Sequence, residues 1–358
     1  MTARNFFSRR GLAAAGALAV TALALAACSS SGDPDAGADG DAPAEEGGWT
    51  LDLQLSWIMN EEFAGEYFAD KNGYYTDAGF EAVNMTPGPS TGVAELAGGQ
   101  ADVALSDAIS IGSAVANEGT PLKIIGSTFQ KNPFTILSLA DGGNITTPED
   151  LVGKKIGVQD SNTALFNALL AANGIDPSEL EIVPVQYDPA PLINGEVDGF
   201  MAYLTNESVT VAAQGHEVAN LPFADNGLPF VAEVVAVTQD TLDNEREMLK
   251  AFLKAEIQGW TDFVNDPEEG ARLAVEEYGA DLDLIMENAI QGALAQRDLV
   301  VSDETEQNGL FTVSEELQQQ SIDSLAGVGL ELTADQLFDM SLLAEVYDEN
   351  PELIDYAG

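Results

Sequence analysis

One cysteine and one histidine stand in the 358 residues, and 13 lysines and arginines face 60 aspartates and glutamates. A single cysteine excludes an intrachain disulfide framework and a zinc site built on several thiolates. A single histidine excludes His-based metal clusters and leaves any Ser-His-Asp triad dependent on His216 alone. His216 precedes Glu217 and Val218 in an expected edge strand, and no chemistry is assigned to it. The formal net charge of −47 repels phosphate backbones and anionic lipid, which excludes nucleic acid as a partner. No glycine-rich phosphate loop is present, Gly142-Gly143 being too short. No calcium-loop pattern is legible among the many acids. No metal and no cofactor are therefore expected. Past the first thirty residues, no run approaches the roughly 20 apolar residues of a membrane span.

What is present begins with an address. Arg9-Arg10 precede an apolar stretch from Ala13 to Ala27, and Cys28 follows. This is the layout of a secretory signal, of the twin-arginine type, over residues 1–27. Leu25-Ala26-Ala27-Cys28 resembles a bacterial lipobox, so Cys28 is the expected lipidated N-terminus of the mature chain. After Cys28, residues 29–48 are Ser, Gly, Asp, Ala, Pro and Glu with almost nothing to bury, so 28–48 reads as a lipid-anchored, flexible acidic tether. The protein is expected outside the cytoplasm, anchored to the membrane by lipid and otherwise soluble.

From Trp49 onward, with 45% hydrophobic residues over the whole chain, there is enough apolar material for a core. Leu51, Leu53, Leu55 and Trp57 alternate with polar residues, which predicts a strand. A helix is expected over Glu62 to Lys71, a strand over Glu81 to Met85, and a helix over Thr91 to Ala97. Further strands are expected at Ala101 to Leu105 and Leu122 to Ile125, with a helix from Asp107 to Asn117 between them. The rhythm restarts with strands at Lys155 to Val158, Glu181 to Val185 and Val197 to Met201, and a helix at Asn162 to Ala172. Such alternation means a mostly parallel sheet with helices on its faces. Leu96, Gly99 and Asp102 recur in spacing as Leu192, Gly195 and Asp198, which reads as two lobes of similar design. Phe230 to Thr238 is an apolar strand able to carry the chain back to the first lobe, and a helical tail follows. Residues 49–140 with 237–358 are assigned to lobe 1 and residues 141–236 to lobe 2, with a ligand cleft between them.

The segment Trp57-Ile-Met-Asn60-Glu-Glu-Phe63-Ala-Gly65-Glu-Tyr67, followed by Gly73-Tyr74-Tyr75, resembles the type II solute-binding proteins of ABC importers. Within them it is similar to the branch that binds sulfonates, nitrate and thiamine-pyrimidine precursors. Phe129-Gln130-Lys-Asn-Pro133-Phe134, Glu149 to Val158 and Tyr203-Leu-Thr-Asn206-Glu207 fit the same branch, and the likeness runs from about Leu51 to Leu294. It implies a two-lobed α/β type II periplasmic-binding-protein fold, a monomer, a small heteroaromatic ligand, and an ABC permease and ATPase as partners. Riboflavin-like, alkanesulfonate and nitrate ligands are the alternatives, with a pyrimidine-synthase-type enzyme behind them. The pyrimidine binders and related enzymes usually carry His where this chain has Phe63, and the enzymes' Cys cluster is missing, so no enzyme is expected.

Site candidates follow from strand ends. Trp57 can stack on a flat ligand or fill the core, and the resemblance favours the ligand. Asn60 can donate and accept to ring atoms or make a turn, and Phe63 suits an apolar ring. Ser106 and Asp107 stand where a strand becomes a helix, with capping the first role of Asp107. Ser161, Asn162 and Thr163 repeat that position in the second half. Gln130 lies beside the expected crossover, and Tyr187, Tyr203 and Glu207 follow strands of the second lobe. Glu207 can accept from a ring amino group, or simply favour a helix start.

Overall fold

Strand β1 (Trp49–Gln54) alternates inward and outward as its sequence dictates, and buries Leu51 and Leu53 completely. The computed structural model describes residues 47–356. The expected leader, Cys28 and the tether as far as residue 46 lie outside the described residues. After β1 come α1 (Ala64–Lys71), β2 (Phe80–Thr86), α2 (Val93–Ala97), β3 (Val103–Asp107), α3 (Ala108–Ser113) and β4 (Leu122–Phe129). The chain continues with β5 (Phe134–Leu139), β6 (Lys155–Gln159), α4 (Thr163–Ala172), β7 (Glu181–Val185), β8 (Gly199–Tyr203), α5 (Glu207–Ala213) and β9 (Val218–Pro222). It returns through β10 (Ala232–Thr238) and closes with helices that include α6 (Arg246–Asn265) and α7 (Met286–Val300).

The strands form two five-stranded sheets, ordered β2-β1-β3-β10-β4 and β7-β6-β8-β5-β9. In each, four strands run one way and one runs against both its neighbours: β10 in the first sheet, β5 in the second. Both reversed strands are the ones the chain lays down on entering from the other sheet. The sheets change over between Phe129 and Phe134 and again between Pro222 and Ala232. Those points precede the boundaries expected at 140/141 and 236/237, because Phe134–Leu139 pairs with β8 and β9 rather than closing the first lobe. His216 stands just outside β9, which is an edge strand of its sheet.

The repeated Leu-Gly-Asp spacing corresponds to repeated geometry. Gly99 and Gly195 both have positive φ, 64° and 72°, where a side chain would be strained. The Asp102 carboxylate accepts from Asp52 N at 2.9 Å, and the Asp198 carboxylate from Lys155 N at 2.9 Å. Each Asp thus ties the start of a central strand to the strand beside it. In the helical tail, α6 buries Leu249, Phe252, Leu253, Ile257 and Trp260, the stripe its sequence shows. Helix α6 lies against α1 so closely that Gly259 leaves no room for a Cβ beside the Gly65 carbonyl. Among the described residues no helix is long and apolar enough to cross a membrane.

Candidate functional site

The like-directed strands end, and the reversed strands begin, on one cleft. Trp57 and Ser56 follow β1, Asp107 ends β3, Tyr203 ends β8 and Asn162 follows β6, while Phe134 opens β5 and Glu233 lies at the start of β10. All of these residues line one cleft. The geometry is that of a topological switch point, with strand carboxyl ends facing the cleft.

Trp57 is half-buried and held from behind. Its carbonyl accepts from Gly88 N at 2.7 Å, and the Ser56 carbonyl accepts from Ser90 N at 3.0 Å. A side chain on Gly88 would strike that Ser56 carbonyl, so glycine is required for the loop to approach. Opposite, Phe134 packs edge-to-face on Tyr203 with ring centroids 4.6 Å apart. These rings give the cleft flat apolar walls.

The polar lining is acidic. Asp107 caps α3, accepting from Ile109 N at 2.9 Å and Ser110 N at 2.8 Å. The donors of that helix start are thereby taken, and burial pushes its carboxyl above the usual range. Glu207 accepts from Tyr203 N at 2.8 Å, and burial raises it to about 7. Glu233 accepts from Ser56 Oγ at 3.0 Å and from Tyr203 Oη at 3.1 Å. It has φ of 46° at a bulge where the β10–β3 register shifts between Ala232 and Val234. A positive φ is uncommon outside glycine, and the bulge re-aims the carboxyl from the sheet into the cleft. Burial raises Glu233 to about 7, against hydrogen bonds from Glu62, Ser56 and Tyr203. Glu62 lies beside it and is raised well above the usual range, by burial first and the Glu233 charge second. Among the described residues no Lys, Arg or His lines the cleft, and no His, Cys, Asp and Glu group is placed to hold a metal ion.

Six of the expected site residues meet here: Trp57, Ser106, Asp107, Asn162, Tyr203 and Glu207. Ser106 faces the cleft while its hydroxyl donates to Thr91 O at 2.8 Å. The other six stand elsewhere. Phe63 is wholly buried in the core, and Asn60, 1% exposed, accepts from Glu62 N at the start of the turn before α1. That turn carries Glu62 to the cleft, so Asn60 serves the site indirectly. Gln130 is buried and donates to Thr312 O at 3.0 Å, binding the end of β4 to the C-terminal region. Ser161 and Thr163 flank Asn162 without lining the cavity. Tyr187, 42% exposed, faces a wider outer recess that shares Trp57, Asn206 and Glu207 with the inner cleft. Sequence reasoning missed Glu62, Glu233, Ser56 and Phe134. Glu233 did leave a signal: it is the one charged residue in the apolar run Phe230 to Thr238.

Comparison with known proteins agrees with this architecture. The chain is 26% identical over 253 residues to the riboflavin-binding protein of Chloroflexus aurantiacus, covering 66% of this chain and 69% of that one. It is 24% identical over 245 residues to the formylaminopyrimidine-binding protein of Halalkalibacterium halodurans, covering 66% of this chain and 74% of that one. Among solved structures, a protein from Bordetella bronchiseptica superposes with a TM-score of 0.69 at 15% identity, covering 84% of this chain and 98% of that one, a likeness of fold. The NMT1/THI5-like family model matches residues 60–270. This chain has the two-lobed α/β fold of type II periplasmic binding proteins and belongs to the NMT1/THI5-like family.

Proposed function

We propose that this chain, an extracytoplasmic solute-binding protein of an ABC import system, captures a flat heteroaromatic compound bearing N–H donors. The observation that carries the reading is the cleft lining: aromatic rings of Trp57, Phe134 and Tyr203 beside the acids Glu62, Asp107, Glu207 and Glu233, and no base. Rings stack on rings, and carboxylates accept from amino groups. A sulfonate or nitrate would meet four acids, and Asp107 already occupies the donors of the α3 helix start. The aminopyrimidine and riboflavin named for the two relatives are both flat nitrogen heterocycles, which supports the same ligand class.

The role is capture and delivery, with lobe closure as the work done and no chemistry on the ligand. The partners are a membrane permease and its ATPase, and a lipid on Cys28 keeps the monomeric protein beside them. Intact-mass measurement of protein matured in a lipoprotein-processing bacterium tests the anchor; an unmodified Cys28 would overturn it. The ligand class is tested by a thermal-shift screen of the purified protein with aminopyrimidines, flavins, alkanesulfonates and nitrate. A heteroaromatic compound should raise the melting temperature by mass action. A shift with sulfonate or nitrate alone would overturn the assignment.

A further inference from the structure

The cleft holds more carboxyl groups than a neutral ring needs. Glu62 is 5% exposed and faces the cavity. No hydroxyl, amide or base among the described residues donates to its carboxyl, whose polar neighbour is the carboxyl of Glu233. Two buried carboxyls lining one cavity, each facing the other's charge, resist ionising together, so the pair retains one proton. The titratable groups that face this pair are Asp107 from the end of β3, Tyr203 from the end of β8, Glu207 from the start of α5, and Glu61 from the turn before α1. Every one of them is acidic, and among the described residues no base lines the cleft to neutralise them.

We propose that the Glu62–Glu233 pair is the subsite for a positively charged, amidine-like nitrogen group of the ligand, and that this group replaces the proton which the two carboxyls share. The proposal rests on the reading of the cleft as the ligand site. A planar cation with two parallel N–H groups needs two acceptors, and a protonated carboxyl turns its own donor toward the incoming one. The exchange balances simply. The ligand's N–H groups donate to both carboxylates, and the shared proton passes to solvent. The pair moves from one negative charge to two, and the bound cation offsets one of them. Glu233 is equipped for this, since Ser56 and Tyr203 already hold its carboxylate oriented and an ionised carboxylate accepts about four hydrogen bonds.

Benzamidinium, benzamide and benzoate share a flat ring and differ in charge, which makes them the probes. Calorimetry of the full chain in two buffers of different ionisation enthalpy counts protons directly. Benzamidinium should bind at least about tenfold more tightly than benzamide, with about one proton released per ligand, and benzoate should not bind. Its affinity should rise with pH by up to about tenfold per unit near neutrality, since the probe itself stays charged. Glu62→Gln should abolish the proton release and narrow the gap between benzamidinium and benzamide; the wild-type proton count stands even if that variant folds poorly. Equal affinity for the three probes, no proton release, or no benzamidinium binding would each overturn the proposal. Capture of a flavin or aminopyrimidine without benzamidinium binding would remove this proposal and keep the proposed function. Benzamidinium binding with proton release, but no capture of any heteroaromatic metabolite, would do the reverse.

Discussion

The Tyr203 hydroxyl, at the end of β8 in the second sheet, donates at 3.1 Å to Glu233, on β10 in the first. This one bond ties the two walls of the cleft, and both partners line it. A ring that enters beside Trp57 exchanges contacts with the same groups that hold the walls together. Tyr203→Phe keeps the ring and its edge-to-face packing on Phe134 but deletes the donor. A hydrogen bond to a charged acceptor is worth about 1.5–3 kcal/mol. We expect the variant to favour separated lobes, seen as a larger radius of gyration by small-angle X-ray scattering. An unchanged radius would show that the bond does not govern closure.

The acids of this protein make its stability fall toward alkaline pH. Burial raises Glu207 and Glu233 from 4.5 to about 7, and Glu61 and Glu256 to about 8. Between these limits the folded chain binds more protons than the unfolded one. Their contribution is therefore fully present below about 4.5 and lost as pH rises through about 7 to 8. The melting temperature at fixed ionic strength should be higher near pH 5 than near pH 8. Glu256, whose carboxyl takes the Tyr75 hydroxyl beside Glu66 in the α1–α6 packing, offers a control. Glu256→Gln removes one titrating group and should flatten the slope. A melting temperature that rises from pH 5 to pH 8 would contradict this assignment.

Asp102 and Asp198 perform the same task in the two sheets, each receiving a neighbouring strand's N–H at 2.9 Å. Asp102→Ala and Asp198→Ala should each cost about 1 kcal/mol in denaturant unfolding. The two sites share no partner, so the double variant should lose the sum. A strongly non-additive double variant would mean that the turns are coupled through the changeover strands.

Salt should stabilise the fold. The chain carries 60 acids against 13 bases, and their repulsion is screened as the Debye length falls from about 10 Å at 0.1 M salt to about 3 Å at 1 M. The melting temperature in sodium chloride should rise over that range. A flat or falling curve would show that the surface charges are spaced widely enough not to matter.

The order of strands and helices was legible because each element carries its own periodicity, from the alternating Leu51, Leu53 and Leu55 to the stripe on α6. The Leu-Gly-Asp repeat was legible for a similar reason: a local turn needs local residues. Trp57, Asp107, Tyr203 and Glu207 could be placed at the cleft because they stand at or just beyond strand ends. Glu233 could not be placed, because its direction depends on a bulge in a strand that pairs with two others from the far side of the chain. Phe134–Leu139 is as apolar as a crossover core segment, and only its pairing with β8 and β9 assigns it to the second sheet. Phe63 was drawn toward the site by its motif, yet at the start of α1 it is wholly buried in the core. Neighbours in sequence predict local form well; contacts across the cleft come from topology.

The proposed function requires that the cleft seat a flat nitrogen heterocycle between Trp57 and the acids around Glu207. Isothermal titration calorimetry of the wild type, Trp57→Ala and Glu207→Gln with riboflavin, an aminopyrimidine, taurine and nitrate tests it most directly. The expected result is wild-type binding of one of the two heterocycles, weakened about tenfold or more in both variants, and no binding of taurine or nitrate. Tight binding of taurine or nitrate with neither heterocycle bound, or heterocycle affinity unchanged in both variants, would contradict it.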